Sequence, residues 1–150
     1  MEERFYRNWI NNSDLKKFKV TFKETDLLIR APNKYPQLVL QTVKNLRSKL
    51  EKYIKQNNEF YKSLKPVSVP VMAPLPVRKM AESARKVNVG PMAAVAGLFA
   101  EKAGREILKK NEEVIVENGG DIFFLFYLYF IIEVLNKQLL LLHLQFVWDR

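Results

Sequence analysis

The sequence predicts an α/β domain, with α+β as its close variant, and three observations carry that prediction. Alternating apolar residues mark a hairpin near the start of the chain. Steps of three and four mark helices through the middle, and a short β-branched run, Val114-Ile115-Val116, marks a strand beyond them.

The elements follow in order. Phe18, Val20 and Phe22 alternate with Lys17, Lys19 and Thr21, the pattern of a half-buried strand. Lys23-Glu24-Thr25-Asp26 reads as a surface turn and Leu27-Leu28-Ile29 as the returning strand, so residues 16–31 form a hairpin closed by Ala31-Pro32-Asn33. From Lys34 the apolar positions Leu38, Val39, Val43, Leu46 and Leu50 put one stripe on a helix, with Lys44, Lys49, Lys52 and Lys55 on its wet side. Asn57-Asn58 ends it. A short helical turn fits Glu59–Leu64, and Pro66, Pro70, Pro74 and Pro76 mark an extended connector over 65–76. Residues 77–87 read as a helix with Val77, Met80, Ala81 and Ala84 inward. Gly90 then reads as N-cap, and Pro91 as first residue, of a helix running to about residue 108 with Phe99, Ala103 and Ile107 inward. The predicted order is β-β-α-α-α-β.

A chain of 150 residues is one domain's worth and buries a real core. Apolar residues make up 48% and charged residues 27%, a globular rather than a disordered balance. With no cysteine there is no disulfide, thiolate metal site or thiol nucleophile. That usage fits an intracellular chain, and the acidic start, Met1-Glu2-Glu3, does not resemble a secretory leader, so a cytoplasmic location is expected. The 25 basic and 16 acidic residues give a net charge of +9. Because Lys and Arg are interleaved with Glu on helical surfaces, they read as a solvated face, and no nucleic-acid partner is expected.

Two glycine-bearing stretches supply the ligand-site hypothesis. Val89 to Gly97 is a glycine-opened helix, and Asn118-Gly119-Gly120-Asp121 is a double-glycine turn ending on a carboxylate. Backbone N–H groups at helix starts and Gly-rich strand ends can reach a phosphate. The alternatives stay open: Gly90 also fits a plain N-cap, and Asn118 to Asp121 also fits a tight turn. Met72, Met80 and Met92 read as packing residues, and His143 has no acidic or histidine neighbour in sequence to make it catalytic or metal-binding.

Composition changes after Asp121. Ile122 to Ile132 is eleven apolar residues in a row, and Leu139 to Leu142 is a leucine block. The expected division is therefore a domain over 1–121 and an anomalous tail over 122–150. One reading makes 122–132 a buried central strand covered on both faces. Another makes the tail a membrane anchor, disfavoured because Glu133 and Lys137 interrupt any 20-residue window. The third, favoured by the composition break, is a frameshifted or truncated continuation.

Tyr6 to Ile10, Lys23 to Ile29, Ser63 to Val67, Val89 to Gly97 and Val116 to Ile122 together resemble an uncharacterised conserved family related to ApbE, the FAD:protein FMN transferase. The resemblance covers residues 1 to about 122. It implies an ApbE-like fold and a flavin or nucleotide-like ligand, FAD or FMN with Mg²⁺, near Gly90, Asn118, Gly119, Gly120 and Asp121. In the transferases an Asp and a Thr from a later segment hold most of the metal. Beyond Asp121 this chain has only Glu133, Asp149 and its C-terminus as carboxylates, and no Ser or Thr. The expectation is therefore a ligand-binding scaffold without transferase activity, its catalytic and metal residues unassigned. A non-enzymatic, homo-oligomeric binding module and a peripheral membrane protein are the two other functional expectations.

Overall fold

The computed structural model describes residues 15–126. Strands β1 (Lys16–Phe22) and β2 (Thr25–Ala31) lead into helices α1 (Pro36–Gln56), α2 (Asn58–Lys62) and α3 (Leu75–Lys86). A 3₁₀ turn at Pro91–Ala94 runs into α4 (Val95–Leu108), followed by β3 (Glu113–Asn118) and β4 (Asp121–Phe126). The strands form one antiparallel sheet in the order β1-β2-β3-β4. The mixed α/β architecture is the one the sequence predicts.

The register explains which residues reach the core. Phe18 pairs with Ile29, Ile29 with Val116 and Val116 with Phe123, so one row of apolar side chains crosses the whole sheet on one face. Side chains alternate faces along a strand. Leu27, Ile29, Ala31, Val114 and Val116 accordingly vanish beneath the helices, while Lys17, Lys19, Asp26 and Glu117 face out. Helix α1 covers β1, and α4 covers β2, β3 and β4. Val39, Val43, Leu46 and Leu50 are the buried stripe of α1. Val77, Met80, Ala81 and Ala84 are buried from α3, as the spacing predicts.

Both hairpins close through two residues. Phe22 pairs with Thr25, leaving Lys23 and Glu24 as the loop, with Lys23 at φ 52°. Thr25 and Asp26, expected in the turn, belong to β2. Arg47 of α1 pairs with Glu24 and, at 2.6 Å, with Glu51, while Lys23 reaches Glu51 at 3.2 Å, tying the loop to the helix.

Three expectations need correcting. Helix α3 starts at Leu75, two residues early, because Pro76 sits in its first turn, where a missing N–H costs nothing. Gly90 caps only the four-residue 3₁₀ turn; its carbonyl accepts from the Ala93 N–H at 3.1 Å, and α4 begins at Val95. The apolar run after Asp121 is not a central strand covered on both faces over its described part. β4 ends the described strand order, with Phe123 packed on the core and Ile122 and Phe124 pointing out, 58% and 61% exposed. An unbroken apolar sequence thus meets two different environments. The Tyr6–Ile10 motif, His143 and tail residues 127–150 lie outside the described residues.

Candidate functional site

The β3–β4 hairpin places the double-glycine motif. Asn118 pairs with Asp121, and Gly119 and Gly120 form the loop at φ 58° and 102°. Positive φ at both loop positions is the mirror-image turn that matches strand twist, and glycine adopts it without strain. The motif is therefore a hairpin tip, and its residues diverge from there.

Asn118 points into the protein. It is 8% exposed, and its Nδ2 donates to the Ala96 carbonyl at 3.0 Å, pinning the hairpin to the first turn of α4. Gly119 and Gly120 are exposed, and no atom outside their chain neighbours lies within 4 Å of where a Cβ would sit. Gly119 borders a second depression, of about 560 Å³, on the outer face of the sheet, beside Lys19, Leu28 and Glu117. Asp121 turns the other way, toward the helices. A Cβ built on Gly97 would lie 3.6 Å from its Oδ2, so the carboxylate rests beside the first turn of α4.

Asp121 stands at one end of a groove of about 510 Å³ between α3 and the start of α4. That volume lies within the usual range for small-molecule sites, about 300–1,000 Å³. The groove's inner wall is small and apolar, from Ala93, Ala94, Gly97 and Leu98 on one side and Met80 and Ala84 on the other. Along α3, Lys79, Ser83 and Lys86 recur at i, i+4 and i+7 and so share a stripe on the groove side. Asp121 makes no ion pair or side-chain hydrogen bond among the described residues. Its carboxylate is thus available to a hydroxyl, amide or amine donor.

Glu101 closes the far wall. It accepts from Arg105 Nε at 2.6 Å and from Lys79 Nζ at 3.2 Å, bridging α3 and α4. Partial burial pushes its carboxyl up, but the hydrogen bonds from Arg105 and Lys79 outweigh that and hold it below the ordinary carboxylate value. A carboxyl lowered in the folded state contributes stability above its unfolded pKa and loses it as the pH falls through the folded value. Glu101→Gln should therefore cost at most about 1 kcal/mol at neutral pH, and the gap from wild type should close on acidification. Thermal melts of both proteins from neutral to acidic pH measure this; a gap that stays constant would remove the bridge as its cause.

Gly90 does not line this groove. It is buried against the backbone of Ser63 and Leu64, and a Cβ there would overlap the Ser63 carbonyl. The five residues singled out by sequence thus separate: Asp121 faces the groove, Asn118 braces it, Gly119 and Gly120 shape the turn above it, and Gly90 closes a packing contact elsewhere. Lys79, Ser83 and Glu101 were not singled out. Their spacing was readable, but only the fold sets their helix beside Asp121.

The implied Mg²⁺ can be weighed against these donors. Mg²⁺ takes six oxygens, commonly one or two carboxylates completed by ligand phosphates and water. Among the described residues no three acidic or histidine side chains converge. Asp121 is the available carboxylate, so a bound ligand's phosphates would have to complete the shell.

The model of the family described as AbpE bacteria matches residues 7–141, continuing past the composition break at Asp121. A UPF0280 protein of Methanococcus maripaludis strain S2 is 41% identical over 106 residues, 69% of this chain and 43% of that protein. A UPF0280 protein of Methanocaldococcus jannaschii is 41% identical over 107 residues, and one of Methanopyrus kandleri 39% over 105, covering 71% and 69% of this chain and 43% and 42% of theirs. The chain spans less than half the length of these curated relatives. With the family model matched over nearly its whole length, this chain belongs to the AbpE bacteria family.

Proposed function

We propose that the groove between α3 and α4 binds a flavin or another nucleotide-like small molecule, in keeping with the kinship to ApbE that the sequence motifs suggest. The observation that carries this reading is Asp121, a carboxylate without an ion pair or side-chain hydrogen bond among the described residues, which lines a groove of about 510 Å³. A planar ring fits the small wall of Ala93, Ala94 and Gly97, where short side chains allow close approach. Asp121 accepts from a donor on the ligand, and Lys79 and Lys86 face its anionic portion. Both lysines are paired in the free protein, with Glu101 at 3.2 Å and Glu82 at 3.6 Å. Such partly exposed pairs are worth little, and a phosphate can displace them. The role assigned is binding; group transfer is left to whatever residues complete the site.

Titration of FMN and of FAD, with and without Mg²⁺, tests the reading through quenching of flavin fluorescence. Saturable binding is expected, weakened about 10- to 100-fold by Asp121→Ala, since a hydrogen bond to a charged group contributes about 1.5–3 kcal/mol. Asp121 is exposed, so the variant should melt within a degree or two of wild type. A folded protein indifferent to both flavins would overturn the proposal.

A further inference from the structure

We propose, on the reading that the groove binds a flavin-like ligand, that Lys79 is its phosphate subsite and that Arg105, outside the groove, is the positioning residue that releases Lys79 to it. The groove then selects a phosphorylated ligand over the same molecule without its phosphate. Of the two lysines that line the groove, burial favours Lys79. Lys86 is 71% exposed and pairs with Glu82 at 3.6 Å. A charge so well hydrated adds little on meeting a phosphate. Lys79 is 37% exposed and faces Glu101, which is 26% exposed, so its charge is less screened. In the free protein that charge is already answered. Glu101 accepts from Lys79 Nζ at 3.2 Å and from Arg105 Nε at 2.6 Å, both on the same oxygen, Oε1.

The geometry around that oxygen decides which cation leaves. Arg105 is the nearer, stands one turn along α4 from Glu101, and lies over the Phe123 ring, 6.0 Å from its centroid. Lys79 is the more distant and reaches across from α3 on a flexible stem. A phosphate that draws Lys79 away therefore leaves Glu101 paired with Arg105. Without Arg105, the same step would leave a part-buried carboxylate unpaired, which costs more. Glu101 thus competes with the phosphate for Lys79, and Arg105 weakens the competitor.

FMN and riboflavin differ by one phosphate, and quenching of their fluorescence by the full 150-residue chain tests this. Wild type should bind FMN about five- to tenfold more tightly than riboflavin. Lys79→Gln should erase that preference, and Glu101→Gln should raise it. Arg105→Gln should reduce it about three- to fivefold in the wild-type background and leave it where it is in a Glu101→Gln background. Loss of a positive charge acting at a distance would weaken FMN binding equally in both backgrounds, so the cycle separates the two causes. Equal affinity for the two flavins, or a preference that survives Lys79→Gln, would overturn the subsite while the groove reading stands. An Arg105→Gln effect of the same size in both backgrounds would overturn the positioning role. A folded chain that binds neither flavin overturns both the subsite and the groove reading.

Discussion

Gly90→Ala is expected to destabilise the protein by about 3 kcal/mol or more, although it adds a single methyl group. The added Cβ would overlap the Ser63 carbonyl and press on the Leu64 Cα. A crowded side chain can change rotamer; a backbone carbonyl cannot. Relief requires moving either the segment after α2 or the 3₁₀ turn, and both are anchored. The Ser63 N–H donates to the Glu59 carbonyl at 2.9 Å, and Pro91 is fully buried. Urea unfolding of the variant measures the loss as a fall in midpoint at similar slope. A variant as stable as wild type would mean that the two segments are not in contact. Gly90 has ordinary extended backbone angles, φ −70° and ψ 153°, so the expected loss comes from contact and not from conformational strain.

The second large effect is expected at Phe60. This ring is 1% exposed and lies edge-on to Tyr53 with centroids 5.3 Å apart. It is also the one buried residue of α2, a helix of five residues with no other apolar anchor in the core. Phe60→Ala removes the ring and leaves a cavity that surrounding helices can only partly fill, which costs about 3–5 kcal/mol. Against a total stability of about 5–15 kcal/mol, that is a large share. The release of α2 should also loosen the contact between Ser63 and Gly90, so Phe60→Ala and Gly90→Ala should be non-additive. Thermal melts of the two single variants and the double variant test this. Strict additivity would separate the two sites.

Local pattern made most of the fold legible. The hairpin over 16–31, the stripe of α1 and the inward face of α3 each rest on residues two, three or four apart. Elements went astray where the deciding partner is distant. β4 was obscured because Ile122 to Phe126 is uniformly apolar, and its alternation appears only when Phe123 lands on Gly104 and Ile122 turns outward. Gly90 reads in sequence as the opening of a helix, either as a plain N-cap or as a phosphate contact. In the fold the same small residue serves close backbone approach, since a glycine's lack of a Cβ suits either use and sequence alone does not say which atom comes near.

The candidate site divides in the same way. The turn at Asn118 to Asp121 was legible because two glycines between strand residues demand positive φ, a property of two adjacent residues. The groove was not, since Lys79, Ser83 and Glu101 meet Asp121 only after α3 and α4 pack.

By itself, then, the sequence determined the first hairpin, the inward faces of the helices, β3 and the glycine turn, because helix and strand periodicity and φ preferences are set within a few residues. Only the tertiary structure decided that Asp121 faces a groove while Gly119 faces the opposite side of the sheet. It alone made Gly90 a packing residue, set against the backbone of Ser63 and Leu64. Each of these depends on which distant segments pack together, and that is settled by burying apolar surface over the whole chain at once.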